Sequence, residues 1–282
     1  KERVKEICSG IKRRSLEFKW SAFARVDTVD QEVFDLMAGA GCDCISFGVE
    51  TGNAEMIKRI KKGIKLEQVG AAVEMCRQAG MMAHESFIIG LPGETKDTLE
   101  ETDRYAKSTK AVYSYHYLAP FPGTTVREKI RDYDLEILTD DWARYDANAA
   151  IVKTSSLLPQ DMNEFGARLD AKNEADWNEM LKRCREGRGT TDDAMHVEGL
   201  WRTNLTFQIL KGDLIEKCGF IEPALYQGAG DSGLQELCRR ITDCTKADPR
   251  VVNNTIADFA HRGYLSADIS YKGCLWSWSL CH

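Results

Sequence analysis

The stretch H84-E-S-F-I-I-G-L-P-G-E-T95 runs from polar residues through an apolar strand into Gly90, Pro92 and Gly93, and ends at an acid and a hydroxyl. Glycines at a strand end let a flat or charged ligand approach the backbone, and Thr95 opens a helix whose N-terminus favours an anion or polar group. The same residues also suit a tight turn that needs glycine for geometry alone. The loop by itself supports either reading.

Its neighbours supply the context. From Trp20 to about Ile130 short apolar strands alternate with helices. Trp20 to Arg25, Cys44 to Val49, Ala83 to Ile89 and Val112 to Ala119 read as strands. Thr28 with Gln31, Asn53 and Thr95 read as helix N-caps, and Gly41, Gly63 and Gly80 as helix stops. Such alternation implies a parallel sheet with right-handed crossovers, either open or closed into a (β/α) barrel, in which chemistry collects at the carboxyl ends of the strands. Those ends hold Arg25 and Asp27, Glu50 to Gly52, Gly90 to Thr95, and Pro120 to Thr124.

Side chains on a strand alternate faces. Ser46, Gly48 and Glu50 therefore share one face, as do Ser86, Ile88 and Gly90. His84 and His116 follow the parity of Ser86 and Pro120, which makes each a candidate proton donor or substrate ligand as well as a candidate core histidine. Tyr113, Tyr115 and Tyr117 fall on the opposite face, toward helices. An ionised Glu50 inside a barrel needs a partner, either ligand hydroxyls or Arg25 in a structural ion pair. Lys62 reads equally as a solvated charge at a helix end.

After Ile130 the pattern changes. Leu138 to Leu158 is mixed, Asp161 to Glu186 is a polar helix, and Gly187 to Asp193 is a loop. From about Leu200 a further unit opens, with helices near 205–218, 234–244 and 250–262, then Gly263-Tyr-Leu265 and a hairpin, a winged-helix-like order. It carries nine Lys and Arg against nine Asp and Glu, so it lacks the basic footprint of a phosphate binder and reads as a lid, substrate-contact or subunit-contact module.

The whole chain has 282 residues and a formal charge of −6, which opposes non-specific attraction to nucleic acid. No apolar run reaches spanning length and no signal peptide opens the chain, so the cytoplasm is the expected compartment. Its ten cysteines show no C-x-x-C pair and read as reduced, buried, small hydrophobes, with Cys42 and Cys44 expected on one strand face. Lys1 to Arg14 reads as the middle of an amphipathic helix, so the chain is expected to be a piece of a longer one.

Taken in order, Arg25-x-Asp27, Gly48-Val-Glu-Thr-Gly52, Lys61-Lys-Gly63, Phe87-Ile-Ile-Gly-Leu-Pro-Gly-Glu94 and Pro120-Phe-Pro-Gly-Thr124 resemble the radical S-adenosylmethionine superfamily. The resemblance covers residues 1 to about 160 and is to the branch often fused to a cobalamin-binding domain, with enzymes like the anaerobic magnesium-protoporphyrin ester cyclase. It implies reductive cleavage of S-adenosylmethionine at a 4Fe-4S cluster, giving a 5′-deoxyadenosyl radical for methylation, cyclisation or oxidation of a small molecule, with a flavodoxin- or ferredoxin-like reductant. Cobalamin would join if the parent has the additional domain.

Carried over residue by residue, the resemblance puts Glu50 at the ribose and methionine of the cofactor and Lys62 at its carboxylate. Ser86 stands where some relatives hold ribose with an acid, Ile88 and Gly90 form an adenine wall, and Pro120 lies beside adenine. Arg25 joins this cofactor-binding set. The cluster loop C-x-x-x-C-x-x-C is absent, so no metal ligand is expected in this chain and its ligands are expected upstream of Lys1.

The resulting expectation is an α/β fold: a partial (β/α) barrel of radical SAM type over 1–135, a mostly helical extension over 136–199, and the winged-helix-like unit over 200–282. The alternatives are a catalytically inactive or partner-dependent binder of adenosyl ligands, and an ordinary barrel using Glu50 and His84 for acid–base work.

Overall fold

A computed structural model of the chain describes residues 1–109, 111–226 and 230–279; Cys281 lies outside them. The described chain divides by internal contacts into two compact units, Lys1–Ala171 and Lys172–His282.

In the first unit the order is α1 (Glu2–Arg13), β1 (Trp20–Ala24), α2 (Gln31–Ala38), β2 (Cys42–Glu50), α3 (Ala54–Arg59), α4 (Leu66–Gln78), β3 (Met82–Ile89), α5 (Lys96–Ser108) and β4 (Val112–Tyr117). The four strands make one sheet in the order β1-β2-β3-β4, and every pairing is parallel. This is the α/β architecture implied by the alternation.

The two faces of the sheet differ. On one, Ile45, Phe47, Val49, Ala83 and Phe87 are buried among Val33, Phe34, Val69, Val73 and Cys76 from the helices. Tyr113 and Tyr115 pack on this side as their parity requires, with Phe87 stacked on Tyr115 at 5.4 Å between ring centroids. The other face carries Ser46, Gly48, His84, Ser86, Ser114 and His116, with its first row open: Phe23 is 90% exposed.

Local signals set the helix starts. The Asn53 side chain accepts from Met56 N, and Thr95 accepts from Thr98 N, so both expected caps form. The expected Thr28 cap does not. Asp30 caps α2 by accepting from Val33 N at 2.9 Å, while the Thr28 hydroxyl donates to Arg25 O. Both residues are good caps; Asp30 stands three residues before the amide it serves and is the better acceptor, and Thr28 is used by the preceding turn. Asp30→Ala is expected to destabilise the unit by about 1 kcal/mol in urea unfolding, and Thr28→Ala by clearly less.

A satellite core follows the sheet. The elements α6 (Thr125–Glu128), β5 (Glu136–Ile137) and β6 (Val152–Lys153) lead to α7 (Pro159–Arg185), whose Met162, Phe165 and Leu169 pack with Ile89, Leu99, Ile151 and Leu157.

The second unit contains α8 (Thr191–Gly212), α9 (Leu214–Cys218), β7 (Phe220–Ile221), α10 (Gly230–Thr245), α11 (Pro249–His261), β8 (Leu265–Ser270) and β9 (Gly273–Trp278). The small antiparallel sheet has the order β7-β9-β8. The helix expected near 205 begins at Thr191, inside the stretch read as a loop. Apolar residues stand all around α8, with Met195, Phe207 and Leu210 exposed, so it has no single stripe to mark its start.

Burial pushes the Cys76 thiol up to about 12 and that of Cys42 up to about 11, which suits small hydrophobes rather than thiolate ligands. The expected common face of Cys42 and Cys44 is interrupted: the β1–β2 pairing slips beside Trp20, and Cys42 enters the core while Cys44 stays half-buried. Among the described residues no helix is long and apolar enough to cross a membrane.

Candidate cofactor site

The carboxyl ends of the four strands are built one on another. β2 ends at Glu50, held at φ +70°, where its pairing with β3 slips after Gly48. That turn of the backbone brings Glu50 Oε1 to 2.5 Å from Lys62 Nζ, both side chains being largely buried. Glu50 is therefore paired with Lys62. Arg25, the expected structural partner, instead engages Asp27 through Nε and Nη2 and donates to Lys62 O at 3.0 Å. Arg25, Glu50 and Lys62 are thus joined in one network.

Gly48 lies beneath that network. A Cβ placed there would come within 2.6 Å of Glu50 Oε1 and 3.4 Å of Lys62 Nζ, so the absence of a side chain leaves room for the pair. Beside it, Ser86 of β3 is the register partner of both Gly48 and Ser114. The middle of the open face is a strip of small groups flanked by an acid and an ammonium.

His84 and His116 lie on this same face. Nδ1 of His84 is buried without a hydrogen-bond partner, and burial, followed by the charge of His116, lowers its pKa. His116 stands opposite Ile88, with Nε2 3.2 Å from Ser114 Oγ.

The opening loop has a second builder. Glu94 is fully buried; its Oε2 accepts from Gly90 N at 2.7 Å, while its Oε1 is buried without a hydrogen-bond partner. Burial pushes this carboxyl up to about 7 against the pull of the Gly90 amide. Gly90 sits at φ +93°, and a Cβ there would press on Met162 Sδ at 3.1 Å, so its glycine serves the turn and the satellite core. Pro120 is buried just beyond β4. The structure thus brings Arg25, Glu50, Lys62 and Gly48 together, sets Ser86, Ile88, His84 and His116 on one face, and gives Gly90 and Pro120 to the packed ends of their strands.

Thr51 and Gly52 also have structural work. Thr51 Oγ1 meets Thr102 Oγ1 at 2.9 Å, and a Cβ on Gly52 would strike Tyr105.

Two buried acids escaped sequence reasoning. Glu94 was visible as the acid closing the quoted stretch. Glu85 sits on the core face of β3, where its Oε2 accepts from Thr109 Oγ1 at 3.1 Å and its Oε1 has no hydrogen-bond partner, and the alternation of H84-E-S-F sets it on the same face as Phe87.

The open strip suits a ligand bearing hydroxyl, carboxylate and ammonium groups: Glu50 supplies an acceptor, Lys62 a donor, and Ser86 and Ser114 further hydroxyls. A 4Fe-4S cluster is another matter. Three thiolates are needed, the sequence has no C-x-x-x-C-x-x-C, and no metal-holding group of three His, Cys, Asp or Glu occurs among the described residues. The residues present do not fit the cluster.

Residues 2–106 match the family model described as the Radical SAM superfamily. An uncharacterised methyltransferase of Pyrococcus horikoshii is 32% identical over 166 residues, covering 58% of this chain and 36% of the relative. The anaerobic magnesium-protoporphyrin IX monomethyl ester cyclase of Cereibacter sphaeroides is 29% identical over 157 residues, covering 54% of this chain and 25% of its own length. Among solved structures, the radical S-adenosylmethionine methyltransferase TsrM of Kitasatospora setae, with cobalamin and a [4Fe-4S] cluster bound, aligns at a TM-score of 0.43 and 24% identity, covering 49% of this chain and 30% of that one. The chain spans between a quarter and about a third of the two curated relatives. Over residues 2–106, this chain is thus similar to the radical S-adenosylmethionine superfamily.

Proposed function

We propose that this chain supplies the S-adenosylmethionine seat of a radical enzyme acting on a C–H bond of a small molecule. The observation that carries the reading is the half-buried Glu50–Lys62 pair poised over side-chain-free Gly48 at the strand ends. When bound, the cofactor supplies a carbon-centred radical. The chain's own residues bind and orient: Lys62 holds the methionine carboxylate, Glu50 the ammonium and ribose hydroxyls, and Ser86 a further hydroxyl. Arg25 fixes the backbone at Lys62, Ile88 borders the adenine, and Gly90 and Pro120 hold the loops around it. His84 and His116 offer a proton donor or substrate contact on the open face.

The helix, strand, two helices and hairpin of the second unit, with its β7-β9-β8 sheet, support a winged-helix-like module over 200–282 that contacts substrate or another subunit. Residues 1–135 would form the cofactor-binding barrel part and 136–199 the helical extension. The parent reaction would use a 4Fe-4S cluster and a flavodoxin- or ferredoxin-like reductant, with cobalamin where a cobalamin domain is present, in the cytoplasm. The specific reaction, among methyl transfer, cyclisation and oxidation, is set by substrate contacts rather than by this seat.

Equilibrium dialysis of the full chain tests the seat. Lys62→Ala is expected to weaken S-adenosylmethionine binding about tenfold, equivalent to roughly 1.4 kcal/mol, while leaving 5′-methylthioadenosine, which lacks the carboxylate, unchanged. Failure of the wild-type chain to bind either compound, or equal loss of both in Lys62→Ala, would reject the assignment.

A further inference from the structure

Cys218 ends α9 and Cys244 lies in the last turn of α10, 26 residues apart in sequence, yet their sulfurs are 3.9 Å apart. Cys218 is buried and Cys244 is exposed. An independent tie keeps the two helix ends in register. Arg240, one turn before Cys244, donates from Nη1 to Phe220 O at 2.8 Å, two residues beyond Cys218, and its guanidinium is anchored by Glu236 and Glu222. On the other side of the junction, Gly219 O accepts from Trp276 N at 2.9 Å. The sulfurs therefore face each other at 3.9 Å across a braced junction, and a disulfide requires them to close to about 2.05 Å.

We propose that Cys218 and Cys244 form an oxidant-responsive dithiol, converted by a low-molecular-weight disulfide such as glutathione disulfide into an intramolecular bridge between α9 and α10. The order of events follows from exposure. The Cys244 thiolate attacks glutathione disulfide, forming a mixed disulfide and releasing one glutathione thiolate. Cys218, whose pKa burial raises, then attacks Cys244 Sγ and expels the second. Two cysteine thiols are oxidised, one glutathione disulfide is reduced to two glutathiones, and the two cysteine protons end on those thiols. Cys238 and Cys274, in the same core, are buried and shielded from the reagent.

The test is to incubate the folded full chain with glutathione disulfide, digest it with trypsin without reductant, and analyse the peptides by mass spectrometry. Cleavage leaves Cys218 and Cys238 together on peptide 218–239 and Cys244 on 241–246, so fragment ions must place the bond. The expected product links these peptides through Cys218, with a mass two hydrogens below their sum, and denatured thiol titration falls by two from the ten cysteines. The bridge should vanish in Cys244→Ser, checked for folding by circular dichroism, and persist in Cys238→Ser. A glutathione adduct on Cys244 with no link, or a bond to Cys238, would overturn the proposal. Fragment ions from the wild-type chain decide this even if a variant misfolds.

Discussion

Glu94→Ala is expected to lower the stability of the chain by about 2 kcal/mol, because the change removes a buried acceptor and leaves the Gly90 amide without a partner in a buried loop. The carboxylate joins Gly90 to the start of α5, so its loss loosens the turn that ends β3. Urea unfolding at neutral pH measures the loss. Glu94→Gln retains a carbonyl acceptor for Gly90 N and should lose less than half as much. Equal loss in the two variants would mean that side-chain volume, and not hydrogen bonding, holds the loop.

The second large effect is a dependence on pH. Glu85 is fully buried, and burial pushes its carboxyl up to about 7 from an ordinary 4.5, opposed only by the Thr109 hydroxyl. The folded protein therefore binds this proton more tightly than the unfolded chain does. Its contribution is fully present below pH 4.5 and is lost as pH rises through about 7. Glu85→Gln cannot ionise and removes that loss: relative to wild type it should gain about 3 kcal/mol on going from pH 4.5 to pH 8. Urea midpoints for both proteins across that range provide the measurement. Parallel pH profiles would show that Glu85 keeps one protonation state, or titrates alike folded and unfolded.

Much of the architecture could be read along the chain because strands and helices impose different periods. Ile45, Phe47 and Val49, and then Ala83, Glu85, Phe87 and Ile89, are buried at every second residue, and Asn53 and Thr95 stand where helices must start. That same alternation placed Ser46, Gly48, Ser86, His84 and His116 on the open face. The partnership of Glu50 with Lys62 was less legible, since it depends on the left-handed turn at Glu50 and the return of the chain after α3, neither of which has a local pattern. Glu85 and Glu94 were in plain view as residue types, but an acid in a strand or loop is ordinarily solvated. Only three-dimensional enclosure makes them consequential. The early start of α8 was hidden for the opposite reason, apolar residues being spread around it instead of gathered on one stripe.

Position 50 sets two selective pressures against each other. A glutamate held at φ +70° is strained by about 1 kcal/mol, and glycine would occupy the same backbone without that strain. Selection for folding alone would drift toward glycine at this position, whereas selection for the proposed ligand contact keeps the acid. The end of β2 is thus a place where backbone strain and the proposed ligand contact ask for different residues.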